Sequence, residues 1–197
     1  MTPRLVLASA SPRRRALLGA LGLDFTLRPV AVDESLRPGE EPAAYVRRLA
    51  REKAAAAARD GELVLAADTV VALAGEIFGK PASAEEARSM LARLSGRAHE
   101  VYTGVALRLT GPAAREAVAV ARTTVHFAPL GAAEIDWYLA SGEPFDKAGA
   151  YAIQGLGALL VDAIEGNYTN VVGLPLATVR QLFAELGFEL LAFSRQP

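Results

Sequence analysis

The sequence predicts an α/β fold in which one mixed, twisted sheet carries helices on its faces. Three observations predict it. Over residues 1–95, apolar strand patterns alternate with patterns of helical period, the order expected of a sheet covered by its own connections. Beyond that point two long strand patterns, Val101–Leu109 and Val118–Phe127, face each other across a turn at Gly111-Pro112, so the middle of the sheet is antiparallel. The composition agrees. Of the 197 residues, 52 % are hydrophobic but only 7 % aromatic, and an abundance of Ala, Leu and Val suits helices packed on a sheet better than an all-β core.

Arg4–Ala8 reads as a short buried strand. Ser11 then sits where an N-cap belongs, with Pro12 at the first helical position. Leu17, Leu18 and Leu21 continue the apolar face, and Gly22 is placed to end the helix. Phe25–Val30 is a second strand candidate. A loop leads to a long helix starting near Pro42, where Val46, Leu49, Ala50 and Lys53 share one helical stripe and the alanine run 54–58 favours the helix. Leu63–Ala67 is a short apolar run ending at Asp68, and Thr69–Leu73 continues extended. Gly75 breaks the pattern before Glu76 and a Gly79-Lys80-Pro81 turn. Ser83 and Glu86 have the spacing of a capping box for a helix to about Leu94, ended by Gly96. After the two long strands, a helix is expected over Ala132–Ala140, stopped by Gly142. Residues 150–165 read as a hairpin or two short strands, Leu176–Leu186 as the last helix, and a short terminal strand follows.

Several classes of function are disfavoured. A formal charge of −1 and a pI near 6.2 give no general attraction for polyanions, so no stable nucleic-acid complex is expected. Without cysteine there is neither a disulfide framework nor a thiolate metal site. The apolar run in MTPRLVLASASPRRR is too short for a secretory core, and no stretch of about 18 apolar residues lacks charge, so neither export nor a membrane span is expected and the location should be cytoplasmic. No linker or repeat divides residues 1–197, which read as a single domain. His99 and His126 lie in strand patterns with no partner four residues away, which makes structural roles more natural than zinc binding. Neither G-x-x-x-x-G-K-[ST] nor G-x-S-x-G occurs.

Five segments hold residues suited to chemistry. In Ser9-Ala10-Ser11-Pro12-Arg13-Arg14-Arg15 a strand gives way to a helix whose first turn carries three guanidiniums. Free N–H groups and the positive dipole end attract anions there, and three cations beside that end call for a compensating anion such as phosphate; the alternative is a solvated basic face. In Ala66-Ala67-Asp68-Thr69-Val70-Val71 a carboxylate ends an apolar strand, where it could hold a cation, activate water, or simply bond to a turn. Lys80 in its tight turn and Lys53 on its apolar stripe could each meet a phosphate, or be solvated and snorkelling respectively. In residues 143–155 small side chains would admit a ligand, and Gln154 offers the paired donor and acceptor that reading a base edge requires; a Gly-rich loop into a strand is the plainer reading. Residues 166–176 need no more than a turn followed by a helix with Pro near its start.

Taken in order, LASASPRR (7–14), REKA (51–54), AADTVV (66–71), GKP (79–81), SGRAHEVYTGV (95–105), DKAGAYAIQG (146–155) and GNYTNVVGLPL (166–176) resemble the Maf family along nearly the whole chain. That resemblance implies an elongated mixed sheet forming two lobes around a central nucleotide cleft, as in the inosine triphosphatases, commonly in a homodimer. It implies hydrolysis of the α–β phosphate bond of nucleoside triphosphates with Mg²⁺ or Mn²⁺. Asp68 matches the family's proton acceptor. Ser9, Arg13, Lys53 and Lys80 match its phosphate shell, and Glu34 with Asp68 its metal site. Arg13, Thr69 and Gln154 resemble the branch acting on dTTP and UTP. Ala66 stands where Gly is frequent, and Asn167 where Ser is, and neither is a proposed catalytic side chain. The rival readings are a pyrophosphatase preferring deaminated purines or 7-methyl-GTP, a nucleotide-binding inhibitor of septum formation, and a plain scaffold domain.

Overall fold

The computed structural model describes residues 2–194. It holds a seven-stranded mixed sheet: six strands lie in the order β2-β1-β3-β5-β6-β7, and the seventh, β4, is hairpinned onto β3. The strands are β1 (Arg4–Leu7), β2 (Thr26–Leu27), β3 (Glu62–Leu73), β4 (Glu76–Phe78), β5 (Ala98–Leu109), β6 (Arg115–Phe127) and β7 (Val161–Glu165). β1 runs parallel to β2 and β3, and the remaining pairings are antiparallel. The helices are α1 (Pro12–Ala20), α2 (Pro42–Ala57), α3 (Ala84–Leu94), α4 (Ala132–Ala140), α5 (Tyr168–Val172) and α6 (Leu176–Glu185). The mixed sheet with helices on its faces is as expected.

Side chains alternate across the pleat and so build two cores on one stretch of sheet. Leu5 and Leu7 of β1 join Leu63, Leu65 and Ala67 of β3, Val105 and Leu107 of β5, and Phe183 of α6 on one face. Val6, Ala8, Val64, Ala66 and Ala106 face the other way, against Ala50, Ala54 and Ala57 of α2. A third core lies at the far ends of the long strands, where Val71, Leu73, Val101 and Val125 meet α3, α4 and Phe78. The long strands thus run through two lobes, and their midpoints form a waist.

The alanine face of α2 lets it lie close on the sheet. The closest approach is at Gly104 of β5, where a Cβ would sit 2.2 Å from the carbonyl oxygen of Val46. Gly104 pairs across the ladder with Asp68.

Several expectations are corrected. Asp68 does not end a strand: β3 is continuous from Glu62 to Leu73. The edge beside it is what ends. β1 covers β3 only over Glu62–Leu65 and β4 only over Val71–Leu73, which leaves the 66–70 stretch without a strand partner on that side. The strand expected at Phe25–Val30 shrinks to Thr26–Leu27, because Pro29 has no N–H to continue the ladder. Residues 150–165 form no hairpin. Left-handed Gly149 and Gly155 coil the chain into 3₁₀ turns at Ala148–Ala150 and Gly155–Leu160, and only Val161–Glu165 is a strand. The expected terminal strand is a 3₁₀ turn at Leu190–Phe193, followed by a single bridge from Ser194 to Leu23. The segment 166–176, read as a turn before the last helix, contains a helix of its own, α5, capped by the Asn167 side chain accepting from the Asn170 N–H.

The expected N-caps form. Ser11 accepts from the Arg14 N–H and Ser83 from the Glu86 N–H, while the Glu86 carboxylate takes the N–H of Ala82 in place of that of Ser83. His99 is buried with Nε2 2.7 Å from the Tyr151 hydroxyl, and burial pushes its pKa down to about 4. His126 bonds to Glu165 at the pairing of β6 with β7.

Gly104→Ala is expected to lower the unfolding free energy by about 2–3 kcal/mol, since the added methyl meets helix backbone that cannot rotate away. Denaturant unfolding of the two proteins measures it. A change below about 0.5 kcal/mol would mean that α2 tolerates displacement from the sheet.

Candidate active site

The cleft lies at the waist, beside the uncovered edge of β3. Its lining includes Ser9 and Arg13 at the start of α1, Lys53 of α2, Asp68 and Thr69 of β3, and Lys80 after β4. Glu34 and Gln154 also reach it from loops. All the sequence-predicted site residues therefore share one cleft.

The run of three arginines divides into three environments. Arg15 is exposed outside the cleft lining. Arg13 faces the cleft and spans it, with Nη1 3.4 Å from Oδ2 of Asp146 on the opposite lobe. Arg14 turns beneath the cleft, where its guanidinium donates to the carbonyls of Ala67 and Gly173, each at 2.7 Å, and to Thr69 Oγ1 at 2.9 Å. It also approaches Ser9 Oγ at 3.4 Å. The Ala67 carbonyl lies in the uncovered stretch of β3, so Arg14 supplies a donor where a neighbouring strand is missing. Desolvation lowers the Arg14 pKa, an effect opposed mainly by the Asp68 charge. The sequence shows that this helix start carries excess positive charge, but not which of the three arginines turns inward to bond the backbone.

On the opposite face of β3, Lys53 is not a snorkelling lysine. Its Nζ lies 2.6 Å from both Asp68 Oδ1 and Glu34 Oε1. The Lys53 and Asp68 side chains are largely buried and that of Glu34 is half exposed. Burial opposes ionisation of Glu34, but the hydrogen bond and charge of Lys53, with Lys80 and Arg14 behind them, hold its carboxyl below the usual range. Tyr45 secures the Glu34 loop by donating to the Glu34 carbonyl at 2.7 Å.

Thr69 points away from Asp68, as alternation along a strand requires, and its hydroxyl contacts Arg14 and Thr103. The turn before Lys80 is held within its own lobe by the Gly149 N–H, which donates to the Gly79 carbonyl at 3.0 Å. Gln154 is exposed at the cleft, and its amide makes no hydrogen bond among the described residues. The segment 166–176 does more than turn the chain. Asn170 is fully buried and donates to the Val101 carbonyl and to Thr123 Oγ1, and Gly173 is an acceptor for Arg14.

Two carboxylate oxygens thus converge on one cationic position, now held by an ammonium. Among the described residues no group of three or more His, Asp and Glu side chains makes a metal cage by itself. Two carboxylates completed by phosphate oxygens and water are nonetheless a usual donor set for Mg²⁺. The arrangement suits an anionic, phosphate-bearing ligand with a divalent cation.

A family model described as Maf-like protein matches residues 4–186. The chain is 59 % identical over 193 residues to a dTTP/UTP pyrophosphatase of Anaeromyxobacter sp. strain Fw109-5, covering 96 % of this chain and 93 % of that one. It is 55 % identical to one from Myxococcus xanthus, covering 94 % of each chain, and 54 % identical to one from Moorella thermoacetica, covering 95 % and 97 %. Among solved structures, a Ham1 protein of Staphylococcus aureus aligns with 97 % of this chain and 93 % of its own, at 14 % identity and a TM-score of 0.46.

Arg14→Lys is expected to destabilise the fold by about 1–3 kcal/mol, because a single ammonium replaces a planar guanidinium that bonds the carbonyls of Ala67 and Gly173 through separate nitrogens. Urea unfolding reads the loss. Wild-type stability in the variant would show that the lost bonds are replaced by water.

Proposed function

The chain belongs to the Maf family, and from that premise we propose that it is a nucleoside triphosphate pyrophosphatase acting on dTTP and UTP. The observation that carries the reading is Lys53 held between Glu34 and Asp68, beside the arginine-bearing start of α1. Relatives at 54–59 % identity bearing the name dTTP/UTP pyrophosphatase support the substrate. The homodimer and cytoplasmic setting implied by the resemblance belong to the same proposal; no helix among the described residues is long and apolar enough to cross a membrane.

In this reading the triphosphate lies along the waist. Arg13, Lys53 and Lys80 contact its oxygens, and Ser9 with the first N–H groups of α1 closes one end. Binding frees Lys53 from its two carboxylates, because phosphate oxygens replace them. Glu34 and Asp68 would then hold a divalent cation, Mg²⁺ or Mn²⁺, which when bound neutralises phosphate charge and acidifies water. Asp68 takes a proton from the attacking water as its oxygen bonds to the α-phosphorus. The bond from that phosphorus to the bridging oxygen breaks, and pyrophosphate leaves with the electron pair. Arg13 and Gln154 face the nucleoside, with Gln154 free to pair with a pyrimidine edge. Thr69 acts from beneath, through its bond to Arg14, and shapes the floor of the pocket.

Pyrophosphate release from dTTP, UTP, CTP, GTP, 7-methyl-GTP and ITP with Mg²⁺ or Mn²⁺ tests the reading. The expected outcome is selective turnover of dTTP and UTP that stops on chelation. A preference for purines would discard the base-pocket assignment, and no turnover of any nucleotide would discard the enzyme.

Asp68→Asn is expected to lower kcat by about 10²–10⁴-fold with nucleotide binding kept. Retention of most of the turnover would remove Asp68 from the role of base.

A further inference from the structure

Gln154 stands on a poorly packed loop. Within residues 154–160 only Gly157 and Leu160 are buried, and Leu156 and Leu159 are 43 % and 66 % exposed. Packing alone does not fix such a segment, so its position depends on where its backbone N–H groups are held. Two side chains, one on α4 and one in the turn after it, hold such groups along 152–157. The Glu143 carboxylate accepts from the Leu156 N–H at 3.0 Å and from the Gly157 N–H at 3.3 Å, one on each oxygen. The hydroxyl of Tyr138, itself fully buried, accepts from the Ala152 N–H at 3.2 Å. Gln154 lies between these anchors. Two of its close neighbours leave no room for a side chain: a Cβ at Gly155 would sit 2.4 Å from Glu143 Oε1, and one at Gly157 2.6 Å from the Tyr138 hydroxyl.

Glu143 is itself fixed. Its N–H donates to Ser141 Oγ at 3.1 Å, and its carbonyl accepts from Lys147 Nζ at 2.6 Å. Lys147 also pairs with Asp146, the partner of Arg13 across the cleft. One short segment, residues 141–147, therefore locates both cleft-facing groups assigned to the nucleoside, Arg13 by ion pair and Gln154 by backbone clamp.

We propose that Glu143 is a positioning residue for base selectivity, with Tyr138 as its second anchor, and that together they set where the Gln154 amide meets the base. The inference rests on the base-reading role of Gln154. Neither side chain lines the cleft. Charged acceptors hold N–H groups more strongly than neutral ones, which makes the carboxylate the dominant anchor. A displacement near 1 Å at a reading group lowers turnover by as much as about 10²-fold.

The test is kcat/KM for dTTP, UTP, CTP and GTP in the wild type and in Glu143→Gln, Glu143→Ala and Tyr138→Phe, each first checked for a cooperative thermal transition. The wild-type panel decides separately whether the pyrimidine reading holds. Given that, the ratio of dTTP to GTP is expected to fall about 10-fold or more in Glu143→Ala, chiefly through KM for the pyrimidine nucleotides, and less in Glu143→Gln and Tyr138→Phe. Adding Glu143→Ala to Gln154→Ala is expected to leave the selectivity of Gln154→Ala where it is, because the clamp acts through that amide. Equal losses on every nucleotide, an unchanged ratio, or additive losses in the double variant would each overturn the proposal. If Glu143→Ala does not fold, Glu143→Gln and Tyr138→Phe carry the same comparison.

Discussion

The contact on which the site depends is the approach of α2 to β5 at Gly104. A helix normally stands off a sheet by the depth of the intervening side chains, and here that depth is removed by Gly104 and the alanines of α2. Gly104 is the ladder partner of Asp68, so the helix comes down beside the carboxylate it serves. Lys53 lies two turns beyond Val46, and its short reach ends with Nζ 2.6 Å from Asp68. A side chain at position 104 would lift the helix and lengthen that contact without touching any charged group.

The second constraint is the interrupted edge of β3. A buried strand with no neighbour leaves backbone acceptors unpaired, and Arg14 satisfies the one at Ala67 while bonding to Gly173 of the loop after α5. A half-buried guanidinium without a carboxylate in contact is costly in isolation. It persists here because carbonyl dipoles surround it and the Asp68 charge lies nearby. The Arg14 charge joins those of Arg13, Lys53, Lys80 and Lys147 in the cleft lining, where cations outnumber the carboxylates of Glu34, Asp68 and Asp146, although the whole chain carries a formal charge of −1. Global charge and local field are separate quantities, and the cleft is set by the second.

Much of this was legible in the sequence because it lies in local pattern. The cap at Ser11-Pro12, the stripe that carries Lys53 inward and the polar Asp68-Thr69 pair inside an apolar run each predict a site without reference to the rest of the chain. What was not legible depends on which strands adjoin. Asp68 read as a strand end because polar residues usually terminate strands. In the fold it is the neighbours β1 and β4 that stop, and pairing lengths are not written in β3 itself. Residues 150–165 misled for a related reason. Alternation there resembles a hairpin, but the positive φ of Gly149 and Gly155 and the clamp from Glu143 coil the chain instead. Arg14 could not be told from its neighbours because the carbonyls that distinguish it, those of Ala67 and Gly173, lie far away along the chain.

Two kinds of ion pair meet at the waist, and their burial separates their roles. Arg13–Asp146 crosses the mouth between partly exposed side chains, 27 % and 62 % accessible, and such a pair contributes about 0–1 kcal/mol. An incoming anion can take Arg13 from it at little cost, so this pair does not block entry. Lys53–Asp68 lies deeper, with both side chains near 11–12 % accessible, and neither group can be left there alone. It can open only if each partner gains a replacement at once: an anion for the lysine and a cation for the aspartate. A bare phosphate or a bare metal ion supplies half of that exchange, whereas a metal-bound polyphosphate supplies both halves. In the proposed function the deep pair would therefore favour a chelated nucleotide over its separate components, a selectivity that would follow from desolvation rather than from any contact with the base.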